Sequence, residues 1–240
     1  MRKLAKIDSY SMFANMIDET FAELFGINIS ELQDHHQYQK IKTYLLNSYT
    51  EHFRVYHACQ HPVYMILKLY ELLEDHPDLS EKVNLLALKL MIIYHDVIFK
   101  LMRELGWSEK KSAEKAFRDI HLTLRMPAKF ADIVQTGILA TARHKMPLKT
   151  NDLNPISRRT IALLLDLDLM GFGNSWSKFK EDTKDNWCEW QSIKTEQEFH
   201  KNRGVWARKF LKDHLKIYNT EYFANKEEQA QKNLSRLAKI

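Results

Sequence analysis

The stretch MIIYHDVIFK, residues 91–100, constrains the fold most, because it is an apolar run interrupted by one polar pair, His95-Asp96. Such a run belongs in a protein interior, where an ionised carboxylate is costly unless a cation or hydrogen-bond donors compensate it. The pair is therefore either a core histidine held by its neighbour's carboxylate or a nitrogen and an oxygen ligand for a divalent metal. For an isolated pair, the first interpretation is favoured.

The spacing of apolar residues predicts helices along nearly the whole chain. With 6 Gly and 5 Pro in 240 residues, the sequence has too few turn residues for a sheet protein. We therefore predict one all-α domain, a helical bundle. Capping residues, prolines and glycines predict these boundaries: a first helix from Asp8 or Ser9 to Gly26, a second from near Ser30, a third starting within a turn of Pro62, a fourth from a Ser80 cap to Phe99, then starts at Ser108, Pro127 and Asn154-Pro155, and helices near 175–190, 195–216 and 220–238.

The apolar runs, cysteines and net charge of the sequence restrict the expected cellular compartment and binding partners. No apolar run reaches the length of a membrane span, and the N-terminus lacks the apolar core of a signal peptide. The two cysteines form no CxxC pair, which favours a reducing cytoplasm. A net charge of +5 favours anionic partners, but 31 acidic residues are interspersed with the basic ones, so nucleic acid is not indicated. A homo-oligomer is compatible with the sequence.

Further candidates for chemistry lie on both sides of the central run. His57 and His61 are four residues apart and would share one face of a helix. Taken alone, they are more often two surface histidines. Asp166 and Asp168 interrupt the apolar segment LLLDLDLMGFG, which has no Lys or Arg after Arg159. For these carboxylates a hydrogen-bonding role and a metal-ligand role are equally open.

A third group of polar residues follows the apolar segment VQTGILATA. His144 lies there between Arg143 and Lys145. A cationic helix end that binds phosphate and a metal-binding histidine are equally open interpretations of this group.

In combination, these segments resemble the HD superfamily of metal-dependent phosphohydrolases. The branch they resemble most is that of small stand-alone bacterial proteins predicted to be HD phosphohydrolases. Its pattern YxEPHRHYHNxxHI is similar to YTEHFRVYHACQHP at 49–62, and its FHDVVY to YHDVIF at 94–99. Its NExxSA, TxxH and LDADLxxLG are similar to segments at 108–113, 141–144 and 165–173, and its C-terminal GRxxxLxxFL and IYxT to segments within 202–220.

The resemblance implies N-terminal helices, residues 1–48, packed on an HD-type domain over 49–240. It implies a divalent metal ion, with Mn, Mg, Fe, Co, Ni and Zn as candidates and with a second ion, supported by Glu109 and His144, left open. It also implies a small phosphorylated substrate, nucleotides included. The implied metal ligands are His61, His95, Asp96 and Asp168. His57 becomes the general acid by resemblance to the cyclic-nucleotide phosphodiesterases of the same superfamily, and Asp96 also orients the attacking water. The residues expected near phosphate or in support of the ligands are Arg54, Lys100, Glu109, Arg143, His144 and Lys145.

Several positions depart from the family pattern. Ala58 replaces an Asn, and Pro62 directly follows the expected ligand His61, which favours a helix start at His61. Ser108 replaces another Asn, and TKDNW at 183–187 replaces IRxEY. These departures concern the substrate side more than the ligands. They define an alternative function, a non-catalytic HD-fold protein that binds a metal or a partner.

Overall fold

The computed structural model describes residues 6–147 and 153–240. In these ranges all regular secondary structure is helical and no β-strand occurs, so the predicted all-α class is confirmed. The α-helices are α1 (Lys6–Phe25), α2 (His36–Tyr49), α3 (Gln60–Asp75), α4 (Leu79–Lys82), α5 (Leu85–Tyr94), α6 (Trp107–Phe117), α7 (Ala128–Thr141), α8 (Pro155–Asp168), α9 (Trp176–Trp190), α10 (Glu196–Asp213) and α11 (Glu227–Leu237). None of these helices combines the length and the apolar character needed to cross a membrane.

Four shorter helical segments complete the described chain. Three are 3₁₀ helices, at Ile29–Asp34, Met170–Gly173 and Glu221–Lys226. One is a π-helical turn, Arg118–Thr123, which directly continues α6.

The central helix differs from the prediction. We expected one helix from a Ser80 cap to Phe99, but Ser80 lies inside the short α4, and the chain is extended at Val83. Helix α5 starts afresh because the Asn84 side chain accepts a hydrogen bond from the Ala87 amide, at 3.0 Å. Since α5 ends at Tyr94, the His95-Asp96 pair lies at the end of a helix and not within one.

Other predicted boundaries are partly corrected. Helix α1 already includes Asp8 and Ser9, so neither residue caps it, whereas Gly26 ends it with φ +65° as expected. Ser108 is also no cap, because α6 begins one residue earlier, after Gly106.

The helix starts at the prolines agree better with the sequence. Pro62 is the third residue of α3, and α7 begins directly after Pro127 and ends at Thr141. Asn154 accepts a hydrogen bond from the Ser157 amide, 2.8 Å away, and so caps α8 as predicted.

The chain divides into two compact units. The first comprises residues 1–52 and 57–164, and the second comprises residues 53–56 and 165–240. The predicted division into N-terminal helices, 1–48, and an HD-type domain, 49–240, stays a prediction.

In the first unit, helix α5 is the central element. Its residues from Leu90 to Tyr94 are completely buried, and it packs against α1, α3, α6 and α7. Helix α7 comes close to it at Gly137, where any side chain would collide with Met91. The Tyr49 hydroxyl donates to the Ile93 carbonyl over 2.9 Å, which anchors the last turn of α5 to the end of α2.

In the second unit, α11 packs against α10 and against the 3₁₀ helix Met170–Gly173. Asn233 on α11 donates to the carbonyls of Phe172 and Asn174, both at 2.8 Å. The core of this unit is aromatic, and its fully or almost fully buried rings are Phe179, Phe199, Phe210, Tyr218 and Phe223.

Candidate metal centre

His95 directly follows the last residue of α5, and its ring is 1% exposed. Its Nδ1 lies 2.9 Å from the Ile92 carbonyl oxygen. A carbonyl can only accept, so Nδ1 carries a hydrogen, and Nε2 is the nitrogen left for a partner on the other side of the ring. A hydrogen bond of this kind at the remote nitrogen is the usual way in which a metal-binding histidine is oriented.

His61 enters the same region from the start of α3. It is the second residue of that helix and is buried, and its ring centroid lies 5.1 Å from that of His95. Asp96 lies against both rings: its Oδ2 is 3.1 Å from His95 Nε2 and 3.9 Å from His61 Nε2. Two imidazole nitrogens and a carboxylate oxygen therefore converge in the first unit.

The electrostatics of Asp96 fit this arrangement. Burial opposes the charged form of its carboxyl, but His95, His57 and His61 outweigh burial and hold the pKa of Asp96 well below its usual range. Asp96 is therefore ionised at neutral pH, as a metal ligand must be.

His61, His95 and Asp168 form a group that can hold a metal ion, because each offers a ligand atom and these atoms lie within 4.8 Å of one another. The donor set of imidazole nitrogens and carboxylate oxygens fits a divalent transition metal. All three residues belong to the predicted ligand set, and Asp96 adds the nearby oxygen described above. That these residues bind a metal stays a prediction.

The other carboxylate of α8, Asp166, has a different environment. Its two oxygens accept hydrogen bonds from the backbone amides of Asn219 and Thr220, at 2.6 and 2.7 Å, and from both side chains. Burial raises the pKa of Asp166, and these four hydrogen bonds act in the opposite direction. Asp166 thus takes the hydrogen-bonding role that the sequence left open, and Asp168 is the one in the candidate group.

His57 does not lie on a helix. Residues 53–58 form turns and bends and α3 begins only at Gln60, so the expectation that His57 lies one helical turn before His61 is wrong. Pro62 has no backbone N–H and fits only in the first turn of a helix, which limits how far α3 extends upstream of His61. The His57 ring instead stacks on Phe99, with centroids 4.1 Å apart, and lies 6.4 Å from the His61 ring.

Hydrogen bonds on both sides of the His95-Asp96 pair fix the neighbouring backbone. The Ser112 hydroxyl accepts from the Ile98 amide at 3.0 Å and lies 3.3 Å from the Ile98 carbonyl, so α6 holds residues 97–99 in place. The phenol of Tyr94 donates to Asp119 at 3.0 Å. Ser112 lies in the segment 108–113 that resembles the family pattern NExxSA, but sequence reasoning assigned it no role. The stacking of Phe99 on His57 was likewise missed.

The residues predicted to support phosphate binding have mixed environments. Arg54 is buried, Lys100 forms an ion pair with Glu51 at 2.8 Å, and Glu109 lies half-buried in the first turn of α6. Their roles stay predictions.

The cationic group after α7 lies outside any helix. Arg143 and Lys145 are exposed, and the half-buried His144 between them has φ +50°. Sequence reasoning expected a helix end here, and α7 indeed stops just before, at Thr141. A phosphate-binding or metal-binding role for this group stays a prediction.

Comparison of the chain with family models, with curated proteins and with solved structures gives no match. The resemblance to the HD superfamily therefore rests on the sequence motifs alone.

Proposed function

We propose that this protein is a metal-dependent phosphohydrolase that cleaves a phosphomonoester or phosphodiester bond of a small nucleotide or another phosphorylated metabolite. The observation that carries the proposal is the convergence of His61 and His95 on Asp96, with Asp168 in the same candidate group. The resemblance to HD phosphohydrolases supports it, because the motifs supply these residues in the family's order.

His61, His95, Asp96 and Asp168 would hold one divalent ion. When bound, such an ion lowers the pKa of water and polarises a phosphoryl oxygen. The remote nitrogen of His95 is already hydrogen-bonded to Ile92, so its Nε2 is preoriented for this role. Asp96 is ionised and can also orient a water molecule for attack on phosphorus.

His57 is proposed as the proton donor to the leaving oxygen. It is close enough to Asp96 to lower the pKa of that carboxyl, yet it is outside the candidate ligand group. Stacking on Phe99 restricts the rotation of its ring, so the proton is presented in a defined direction. The neighbouring Lys100 and the exposed Arg143 and Lys145 are the proposed sources of positive charge for the phosphate.

The proposal is tested on purified full-length protein by metal analysis and by turnover of p-nitrophenyl phosphate and its diester with added Mn²⁺, followed by a screen of nucleotides. We expect stoichiometric metal and turnover in the wild type, and loss of both in His95→Ala. His36→Ala, which removes an exposed histidine at the start of α2, is the matched control and should behave as the wild type.

Two negative results have different meanings. Metal bound at one equivalent without any turnover would favour the non-catalytic alternative, which Ala58 and Pro62 keep open. No metal uptake by the wild type would contradict the proposed centre itself.

A further inference from the structure

Helix α10, in the second unit, carries two buried nitrogens without a hydrogen-bond partner among the described residues: His200 Nδ1 and Arg203 Nε. The residues are three apart on the helix, so their side chains are neighbours on one face. A buried polar group left unpaired costs about 1–3 kcal/mol. The other ring nitrogen of His200, Nε2, lies 3.7 Å from the Glu196 carboxylate, so Nδ1 of His200 and Nε of Arg203 are the positions left for a ligand.

The charge of Arg203 has no counterion in the described part of the chain. Burial lowers the pKa of its guanidinium, and the phenol of Tyr56 acts in the opposite direction. Lys178 of the same unit, by contrast, is paired and lies 2.7 Å from Asp182. An unpaired cation that is partly desolvated attracts an anion.

The position of the guanidinium is fixed by an aromatic platform. Arg203 Cζ lies 4.3 Å from the ring centroid of Trp206. Trp206 in turn packs against Phe172 and Phe210, at centroid distances of 5.8 and 5.1 Å. Stacking of this kind holds the guanidinium plane and leaves its in-plane N–H groups to bind a ligand.

We propose that Arg203, stacked on Trp206 and with His200 beside it, binds a phosphate group. The guanidinium fork matches two phosphate oxygens, and the imidazole provides a donor from a second residue for another oxygen of the tetrahedral anion. His200 and Arg203 are half-buried, so an anion can reach them from solvent. This site goes beyond the proposed function and does not depend on the metal centre.

The first test uses the unaltered, metal-free full-length protein. Inorganic phosphate is titrated while the Arg203 Nε–H resonance is followed by ¹⁵N NMR, with chloride at equal ionic strength as the control. We expect a saturable shift with phosphate and none with chloride. An Arg203 resonance that does not move, or that moves equally with chloride, would overturn the proposal.

The second test compares variants by calorimetric phosphate titration. Arg203→Gln should bind phosphate roughly tenfold more weakly or worse, because a charge-assisted hydrogen-bond pair is lost. Lys201→Gln removes the same charge from an exposed position two residues earlier on α10 and should bind as the wild type. Equal loss in both variants would mean a general charge effect and no site.

Thermal unfolding separates a binding role from a structural one. Phosphate should raise the melting temperature of the wild type but not that of Arg203→Met, which keeps the bulk and removes the unpaired charge. Without phosphate, Arg203→Met should be as stable as the wild type or more so. If Arg203→Met unfolds while the wild type shows no response to phosphate, Arg203 is structural and the proposal is wrong.

Discussion

The end of α5 and the end of α8 both place carboxylates in apolar surroundings, but the groups around them differ. Asp96 lies against the imidazoles of His95 and His61. Asp166 lies against amides and hydroxyls of Asn219 and Thr220. Amides and hydroxyls donate hydrogens and satisfy a carboxylate completely, whereas imidazoles bring lone pairs of their own. The environment of Asp96 therefore suits a cation shared with the imidazoles. The hydrogen bonds of Asp166 are made to other protein groups and have a structural role.

Removing His95 should have the largest effect. Residues that only hydrogen-bond to a metal ligand contribute about 10–100-fold to metal affinity. Because His95 is itself a proposed ligand, His95→Ala should weaken metal binding by more than about a hundredfold and reduce turnover to background. Metal content by mass spectrometry and turnover with added Mn²⁺ provide the measurement. Full metal content in this variant would show that the end of α5 is not the centre.

His57→Ala should keep the metal but lose roughly 10²–10⁴-fold in rate, the usual contribution of general acid catalysis. The loss should shrink for nitrophenyl esters, because a good leaving group needs little protonation. Rates on alkyl and nitrophenyl esters, measured side by side with metal content, test this. If the variant loses its metal, His57 is a ligand; if it keeps the full rate on an alkyl ester, another group is the acid, with His144 the first candidate.

Alanine variants of the two carboxylates of α8 should have different effects, one mainly on stability and the other mainly on metal binding. Asp166→Ala leaves the amides of Asn219 and Thr220 without an acceptor, so it should lower the free energy of unfolding by about 3 kcal/mol. Asp168→Ala should lose metal with a smaller change in stability. Urea unfolding of the metal-free proteins, together with metal analysis, measures both quantities. The opposite pattern, with metal lost in Asp166→Ala, would show that the roles are reversed.

The smallest effect is expected at Ser112, which links α6 by hydrogen bonds to the segment after the His95-Asp96 pair. Ser112→Ala should cost about 1 kcal/mol of stability, the usual net contribution of a hydrogen bond. Metal content should stay unchanged, because the hydrogen bonds of the Ser112 hydroxyl go to the backbone of Ile98 and not to a candidate ligand. A variant that unfolds as the wild type would show that this tie contributes nothing.

Much of the local structure could be predicted from residue types. Periodic apolar residues and few glycines are enough for an all-α chain, and Gly26, Pro62, Pro127 and Asn154 mark helix ends by their own backbone chemistry. The helix break at Val83-Asn84 was missed, because the sequence does not show which way the Asn84 side chain turns. In the structure it accepts from the Ala87 amide and so caps a new helix.

The sequence by itself determined the helical class and the burial of the His95-Asp96 run, since these follow from periodicity and hydrophobicity. The candidate ligands came from its resemblance to the HD superfamily. The sequence left Asp166 and Asp168 equally open by residue type, and only the motif order favoured Asp168. The tertiary structure decided between them, because residues 219 and 220 arrive from a distant part of the chain to satisfy Asp166. Only the tertiary structure likewise shows that Arg203 Nε has no hydrogen-bond partner among the described residues. Whether a cation has a partner depends on which distant residues fold near it.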